Sequence, residues 1–443
     1  MNPRRRTFRI MPETPTTTSS QVLPRRRVAV IGGGVSGLTA AWVLQRGADV
    51  TLYEADDRLG GHAHTHDVVR PAGGTLAVDT GFIVHNEKTY PTLLRLFAAL
   101  GVATQASDMS MSVRCEGCGL EYAGARGVRG LFPARSNLRP AYLRMVTEVP
   151  RFHRAARALL ASPETPGTEE TLGQFVARGR YSTYFVDHFV KPVVACVWSC
   201  APETALAYPA RYLFAFLDHH GMLTVTGSPP WRTVTGGSRS YVEQVAKELH
   251  AVHTATPVRA LTRTAAGVEV RDDADQVAHF DAAVVATHPH QALSLLAQPT
   301  APEAAVLGAI GYSTNHTVLH TDTTPLPRAA GAQASWNYRM ASCRASTESV
   351  VVSYDMSRLM ALPGPERYIV SLNSPDLVDP AKVIARMVYE HPIYTPDSVA
   401  AQRRLPELND DRIAFAGAYH GWGFHEDGAL SGLTAARRLG GVW

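Results

Sequence analysis

An α/β fold is predicted, in which a nucleotide-binding domain built on a parallel sheet is interrupted by an inserted α+β domain. Three stretches carry that prediction. In residues 28–41 a run of small β-formers meets glycines at Gly32, Gly34 and Gly37, and a helix-forming stretch follows. Residues 49–54 form a further strand that ends in an acid, Glu54. Residues 282–286, far along the chain, are wholly apolar, as expected of a parallel strand buried on both faces.

The first stretch has the G-x-G-x-x-G spacing in its strand–turn–helix setting. Gly32 permits the tight turn, Gly34 has no Cβ to obstruct a pyrophosphate, and Gly37 lets the helix pack closely on the strand. Ser36 lies in the first turn of that helix, whose free N–H groups and positive dipole end favour phosphate. Glu54 follows Gly32 by 22 positions, where a carboxylate can accept a hydrogen bond from a ribose hydroxyl. The domain is therefore Rossmann-like. Beyond it, Arg58, Gly60, Gly61 and His62 offer a cation to neutralise phosphate and a loop whose backbone can face it.

These residues resemble the start of the amine oxidase and phytoene desaturase superfamily of flavoproteins. The resemblance implies FAD as cofactor and a glutathione reductase-like cofactor domain. It places residues 76–86, including Phe82, along the ribityl chain and flavin ring, and the backbone of Val258 against adenine. Residues 102–226 read as a mostly helical insertion with some short strands, preceded by a helix ending at Gly101 and with helix candidates at 142–160 and 172–198; Pro192 is expected to kink or end the second. In proteins of this kind such an insertion shapes a substrate pocket. The cofactor domain resumes at residues 234–237 with a helix at 241–250, and alternating strands surround residues 268–270 and 278–280. Further alternating strands at 349–354 and 368–372 return to the substrate domain.

Near the C-terminus a strand ends at Gly417 and a small-residue helix starts after Gly428. The helix N-terminus can stabilise negative charge near flavin N1 and O2. Most superfamily members carry an aspartate directly after the glycine matching Gly417, whereas this chain has Ala418, so Glu426 or Asp427 is expected to supply the ribityl contact. Residues 423–428, 319–322, 335–338, 391–392 and 400–402 further resemble a subgroup of predicted flavoproteins. Members of that subgroup often stand beside cyclopropane fatty acid synthases. The expected organisation is a disordered tail at 1–24, a cofactor domain at 25–88, 227–290 and 405–443, and a substrate domain at 89–226 and 291–404.

Composition sets outer limits. A chain of 443 residues can bury a large core. Its net charge of +4 is outweighed by two arginine runs, at 4–6 and 25–27, and does not point to nucleic acid. No run approaches the ~20 apolar residues that span a bilayer. The five cysteines are too few and scattered for a disulfide scaffold, so a soluble, cytoplasmic protein with reduced thiols is expected.

Tyr419, Trp422 and His425 are the candidate catalytic residues, because the closing loop should pass the flavin ring. Aromatics there can stack on substrate, and His425 can move a proton; core packing is the competing reading. His85, His320, Asn337 and Tyr354 lie in segments that can reach the pocket. His62, His64 and His66 alternate and are read as a polar edge beside the cofactor. Cys115-x-x-Cys118 reads as a hairpin turn with no second pair at zinc spacing, and no metal is expected. Relatives that oxidise amines carry a lysine in the substrate domain, and none of Lys88, Lys191, Lys247 and Lys382 falls near residues 317–321.

The expected function is FAD-dependent oxidation that takes or shuttles a hydride from a C–H bond of a largely apolar small molecule, a lipid or isoprenoid, by desaturation or isomerisation. Peripheral membrane or lipid contact fits that substrate. The alternatives are amine oxidation and a non-catalytic flavin-binding partner of a lipid-modifying methyltransferase.

Overall fold

The computed structural model describes residues 25–163, 170–224, 228–344 and 351–443. The expected tail at 1–24, and the first part of the strand expected at 349–354, lie outside them. Five parallel strands form the nucleotide-binding sheet, in the order Ala251–His253, Ala48–Tyr53, Arg26–Ile31, Ala282–Val285 and Ile413–Phe415. All four residues of Ala282–Val285 are fully buried, because helices and a second sheet cover both faces.

On one face the helix Val35–Leu44, with every residue buried, crosses the C-terminal helix His425–Arg438. Small residues permit the crossing: a Cβ on Gly432 would lie 2.1 Å from the Ser36 carbonyl oxygen. Helix Pro91–Leu100 packs Leu93, Leu96 and Phe97 into this same core, although the sequence grouped it with the inserted domain. The opposite face carries the antiparallel sheet of Val258–Arg263, Val268–Asp272 and Val277–Phe280. Helices Pro289–Leu295 and Ala301–Gly308 also close that face, through Ala292, Leu295, Val306 and Leu307. All of the second helix, and the first from residue 291 on, were assigned by sequence to the substrate domain; their apolar stripes bury against the nucleotide sheet instead.

A mixed seven-stranded sheet forms the other half, in the order Val383–Pro392, Tyr312–His320, Ile369–Leu372, Val352–Asp355, Trp336–Met340, Met111–Cys115 and Leu120–Tyr122. It shares one core with the helices Pro140–Ala161, Leu172–Arg178, Lys191–Trp198 and Ala210–His219. The helix expected at 142–160 forms and runs through Pro150. The one expected at 172–198 breaks earlier than Pro192, at Gly179 and Arg180, where Arg180 adopts a φ of 49°. Pro192 sits near the start of Lys191–Trp198 but inside a helical run that is continuous over 183–198, so its missing N–H removes a rung of that ladder. A π-turn, Val186–Val190, leads into it.

Candidate active site

A cavity of about 800 Å³ runs from the nucleotide-binding glycines to the seven-stranded sheet. At its first end Gly32 turns with φ +102°, and a Cβ there would meet the Ala286 carbonyl oxygen at 2.7 Å. Gly34 differs: nothing lies within 4 Å of the place its Cβ would take, because that place is the cavity itself. The helix behind it has no side-chain cap and no acid in its first turn, so its N-terminal N–H groups are left for an anion. The Glu54 carboxylate accepts from the backbone N–H of Gly33 at 2.6 Å and of Asp56 at 2.9 Å. It lines the cavity. Arg58 donates to the Gly61 carbonyl at 2.9 Å within the second glycine loop; Gly60 N–H donates to Gly33 O at 2.8 Å and joins that loop to the first.

Of the residues singled out from sequence for the cofactor, Gly32, Gly34, Ser36, Glu54, Arg58, Gly61, His62, Phe82, Val258 and Gly417 line this cavity. Gly37 and Gly60 do not. A Cβ on Gly37 would lie 1.8 Å from Gly32 O, and one on Gly60 would lie 2.4 Å from Ala63 O, so both serve close backbone packing. The open space at Gly34, the free helix end and the placed carboxylate fit a dinucleotide. Midway along, His62 Nε2 and Tyr419 Oη are buried without a hydrogen-bond partner, which fits a polar ring system lying there.

The closing loop differs most from expectation. Tyr419 and His425 reach the cavity wall. The His425 ring lies flat on Phe82, with centroids 3.8 Å apart, and its Nε2 is held by Tyr241 Oη at 2.9 Å. Burial, with His85 nearby, pushes its protonation down to about 3, so the ring is neutral at ordinary pH. Trp422 turns away from the cavity and packs against Tyr212, Phe216 and His219.

Glu426 and Asp427, the expected ribityl contacts, do not line the cavity. Both Glu426 carboxylate oxygens accept backbone N–H groups, from Thr92 and Leu93 at 2.9 Å each. Asp427 accepts from Phe424 N–H at 2.9 Å, and burial pushes its carboxyl up to about 7. Acids in a helix first turn are drawn to such orphan donors. Gly428 lies against the first helix, where a Cβ would meet Val35 Cγ1 at 2.6 Å.

His62 sits among His391, His288 and Tyr389, and burial holds it well below its ordinary value. His64 donates to or accepts from Tyr389 Oη at 3.0 Å. His85 is buried against Phe97, His320 bonds Ser371 Oγ at 2.8 Å, and Asn337 bonds Ser112. None of these three lines the cavity, whereas Tyr354 does.

The cavity's other end is walled by Met109, Met111, Trp198, Phe216, Met222, Trp231, Trp336 and Leu372. The sequence pointed to Trp336, within residues 335–338, and to the aromatic and aliphatic content of residues 172–226, which holds Trp198, Phe216 and Met222. The rest share the spacing of ordinary core residues and carry no separate signal.

Residues 35–440 match the family of flavin-containing amine oxidoreductases. The chain belongs to this family. As a member of this flavin-containing family it binds FAD. Coproporphyrinogen III oxidase of Mycobacterium leprae is 25% identical over 297 residues, 62% of each chain. Protoporphyrinogen oxidase 2 of Arabidopsis thaliana is 62% identical over 37 residues, which cover 8% of this chain and 7% of the plant enzyme. The chain thus matches less than two thirds of the length of these curated relatives.

Solved structures align over far more of this family member. A cyclohexylamine oxidase from Brevibacterium oxydans superposes with a TM-score of 0.66 at 18% identity, over 94% of this chain and 99% of its own. A fatty acid isomerase from P. acnes does so with a TM-score of 0.66 at 16% identity, over 93% and 98%. Those identities establish a common fold. Among the described residues no helix is long and apolar enough to cross a membrane.

Proposed function

We propose that this oxidoreductase acts on a C–H bond of a largely apolar substrate, an acyl chain or an isoprenoid, in a desaturation or an isomerisation. One observation carries the reading. Among the described residues, the cavity wall away from the nucleotide glycines is mainly aromatic, thioether and aliphatic, with Ser199, His220 and His391 among its polar groups and Glu390 its one carboxylate. His288 already engages one oxygen of that carboxylate at 2.8 Å. None of the four lysines lines the cavity, and no arginine lies at that end for the carboxylates of a porphyrinogen. Likeness to the subgroup that stands beside cyclopropane fatty acid synthases also favours an acyl chain.

Bound FAD supplies the hydride acceptor. Gly34, Glu54 and Arg58 would hold its nucleotide half, and the Phe82–His425 stack would form part of the wall beside its ring. Trp198, Phe216 and Trp336 would orient the substrate and exclude water, as apolar pockets with few polar groups do. Buried neutral imidazoles at His62 and His391 add no charge to that wall.

The test is an anaerobic titration of the purified holoenzyme with unsaturated fatty acids and phospholipids, carotenoids, amines and porphyrinogens, followed by product analysis. Bleaching of the visible flavin absorbance by an apolar donor, or conversion of that donor to a double-bond isomer without net bleaching, is expected. Bleaching by amines alone, with peroxide release in air, overturns the apolar reading in favour of amine oxidation.

A further inference from the structure

Away from the flavin cavity, four metal-ligating side chains from three distant segments meet. Cys115 and Cys118 flank the hairpin turn between strands Met111–Cys115 and Leu120–Tyr122. Cys343 follows strand Trp336–Met340, and His188 belongs to the π-turn Val186–Val190. Their ligand atoms all lie within 4.8 Å of one another. We propose that Cys115, Cys118, Cys343 and His188 form a structural zinc site.

The spacing has the size of a coordination shell. Cys115 Sγ and Cys343 Sγ are 3.7 Å apart, and Cys118 Sγ is 3.6 Å from His188 Nε2. With Zn–S of about 2.3 Å and Zn–N of about 2.0–2.1 Å, a tetrahedron has S···S edges of about 3.8 Å and S···N edges of about 3.6 Å. A disulfide requires sulfurs about 2.05 Å apart, and all these cysteines are free.

The imidazole is also prepared for a metal. His188 Nδ1 lies 3.0 Å from the Tyr184 carbonyl oxygen, so Nδ1–H donates there and the Nε2 lone pair faces the thiols. Ligating histidines are fixed in this way. The backbone supports the meeting: a Cβ on Gly117 would lie 2.9 Å from Ser342 Cα, so only glycine lets the hairpin turn reach the Cys343 segment. A cavity of about 230 Å³, lined by Asp187, Lys191 and Cys343 among others, supplies a path for the ion.

Four protein ligands leave no open position, which makes the site structural rather than catalytic. Binding Zn²⁺ releases the thiol protons to solvent, and no electron changes hands. The ion would tie together three pieces of the substrate half: the hairpin, the helix that carries Trp198, and the strand that carries Trp336. Cysteine spacing alone missed the site because Cys118 and His188 are 70 residues apart and Cys115 and Cys343 are 228 apart.

The test uses the full-length holoenzyme, purified with reductant and without chelator. Elemental analysis should find one zinc per chain, and zinc-edge X-ray absorption should show three sulfur neighbours and one nitrogen. Cys118→Ser and Cys343→Ser should reduce zinc to background. His288→Ala, which disrupts the other His/Glu cluster, should retain it. If the cysteine variants do not fold, the absorption spectrum of the unaltered protein still decides. A sulfur-poor shell, zinc lost only with His288→Ala, or a reduced protein that neither contains zinc nor takes up added Zn²⁺ or Co²⁺ overturns the proposal.

Discussion

At the scale of single residues, Gly34 does what its place in the glycine spacing implies, and the structure shows why the effect can be isolated. Its backbone has φ −73° and ψ 179°, a conformation open to any residue, and its missing Cβ faces empty space. Gly34→Val should therefore fold normally while its branched side chain fills the pyrophosphate's place, abolishing FAD loading. Equal circular dichroism with a colourless variant is the expected pair of results; a yellow variant with full FAD occupancy contradicts it. His425 shows the opposite relation between position and role. Its place at the cavity wall was legible, but the Tyr241 bond and the Phe82 stack that occupy it were not, because those partners lie far apart in sequence.

At the scale of elements, the C-terminal helix is fastened to its neighbours by groups that resemble ligand contacts in the sequence. The Glu426 carboxylate caps helix Pro91–Leu100 through two backbone N–H groups. Replacing it leaves those donors buried, at a cost of about 1–3 kcal/mol for an unsatisfied group. Glu426→Ala should thus lower stability to chemical denaturation by about 2–6 kcal/mol, summing two such groups, with FAD content unchanged at saturating cofactor. Loss of FAD with unaltered stability would return Glu426 to the cofactor site. Gly428 and Gly432 complete the fastening by letting the C-terminal helix touch the first one.

For the whole molecule, buried neutral imidazoles govern the response to acid. Burial pushes His64 and His425 down to about 3, and His85, His153, His220, His320, His391 and His420 down to about 4. The unfolded chain takes up these protons near pH 6.5 while the folded chain refuses them. Their contribution to stability is complete above pH 6.5 and is lost as pH falls toward 4. Asp79 and Asp427, raised by burial to about 6 and about 7, act in the opposite sense: their contribution is present below about 4 and is lost as pH rises through 6 to 7. Two such groups do not offset eight. The melting temperature should therefore fall continuously from pH 6.5 to 4, each net proton contributing about 1.4 kcal/mol per pH unit. A melting temperature that is constant from pH 7 to 4.5 contradicts this.

The sequence by itself determined the features that local chemistry enforces. Glycine spacing, the acid ending the second strand and the apolar parallel strands make the nucleotide half readable, since each depends on neighbours within one βαβ unit. Only the tertiary structure decided which aromatic side chains face a void and which face the core. Trp198 ends an apolar helix and Trp422 sits between glycines in a loop, yet the helix residue lines the cavity and the loop residue does not, because side-chain direction depends on elements that arrive from elsewhere in the chain. For the same reason the convergence of His188 with three separated cysteines is invisible to any local spacing. It exists only where a hairpin, a π-turn and a strand end come within a few ångströms of one another.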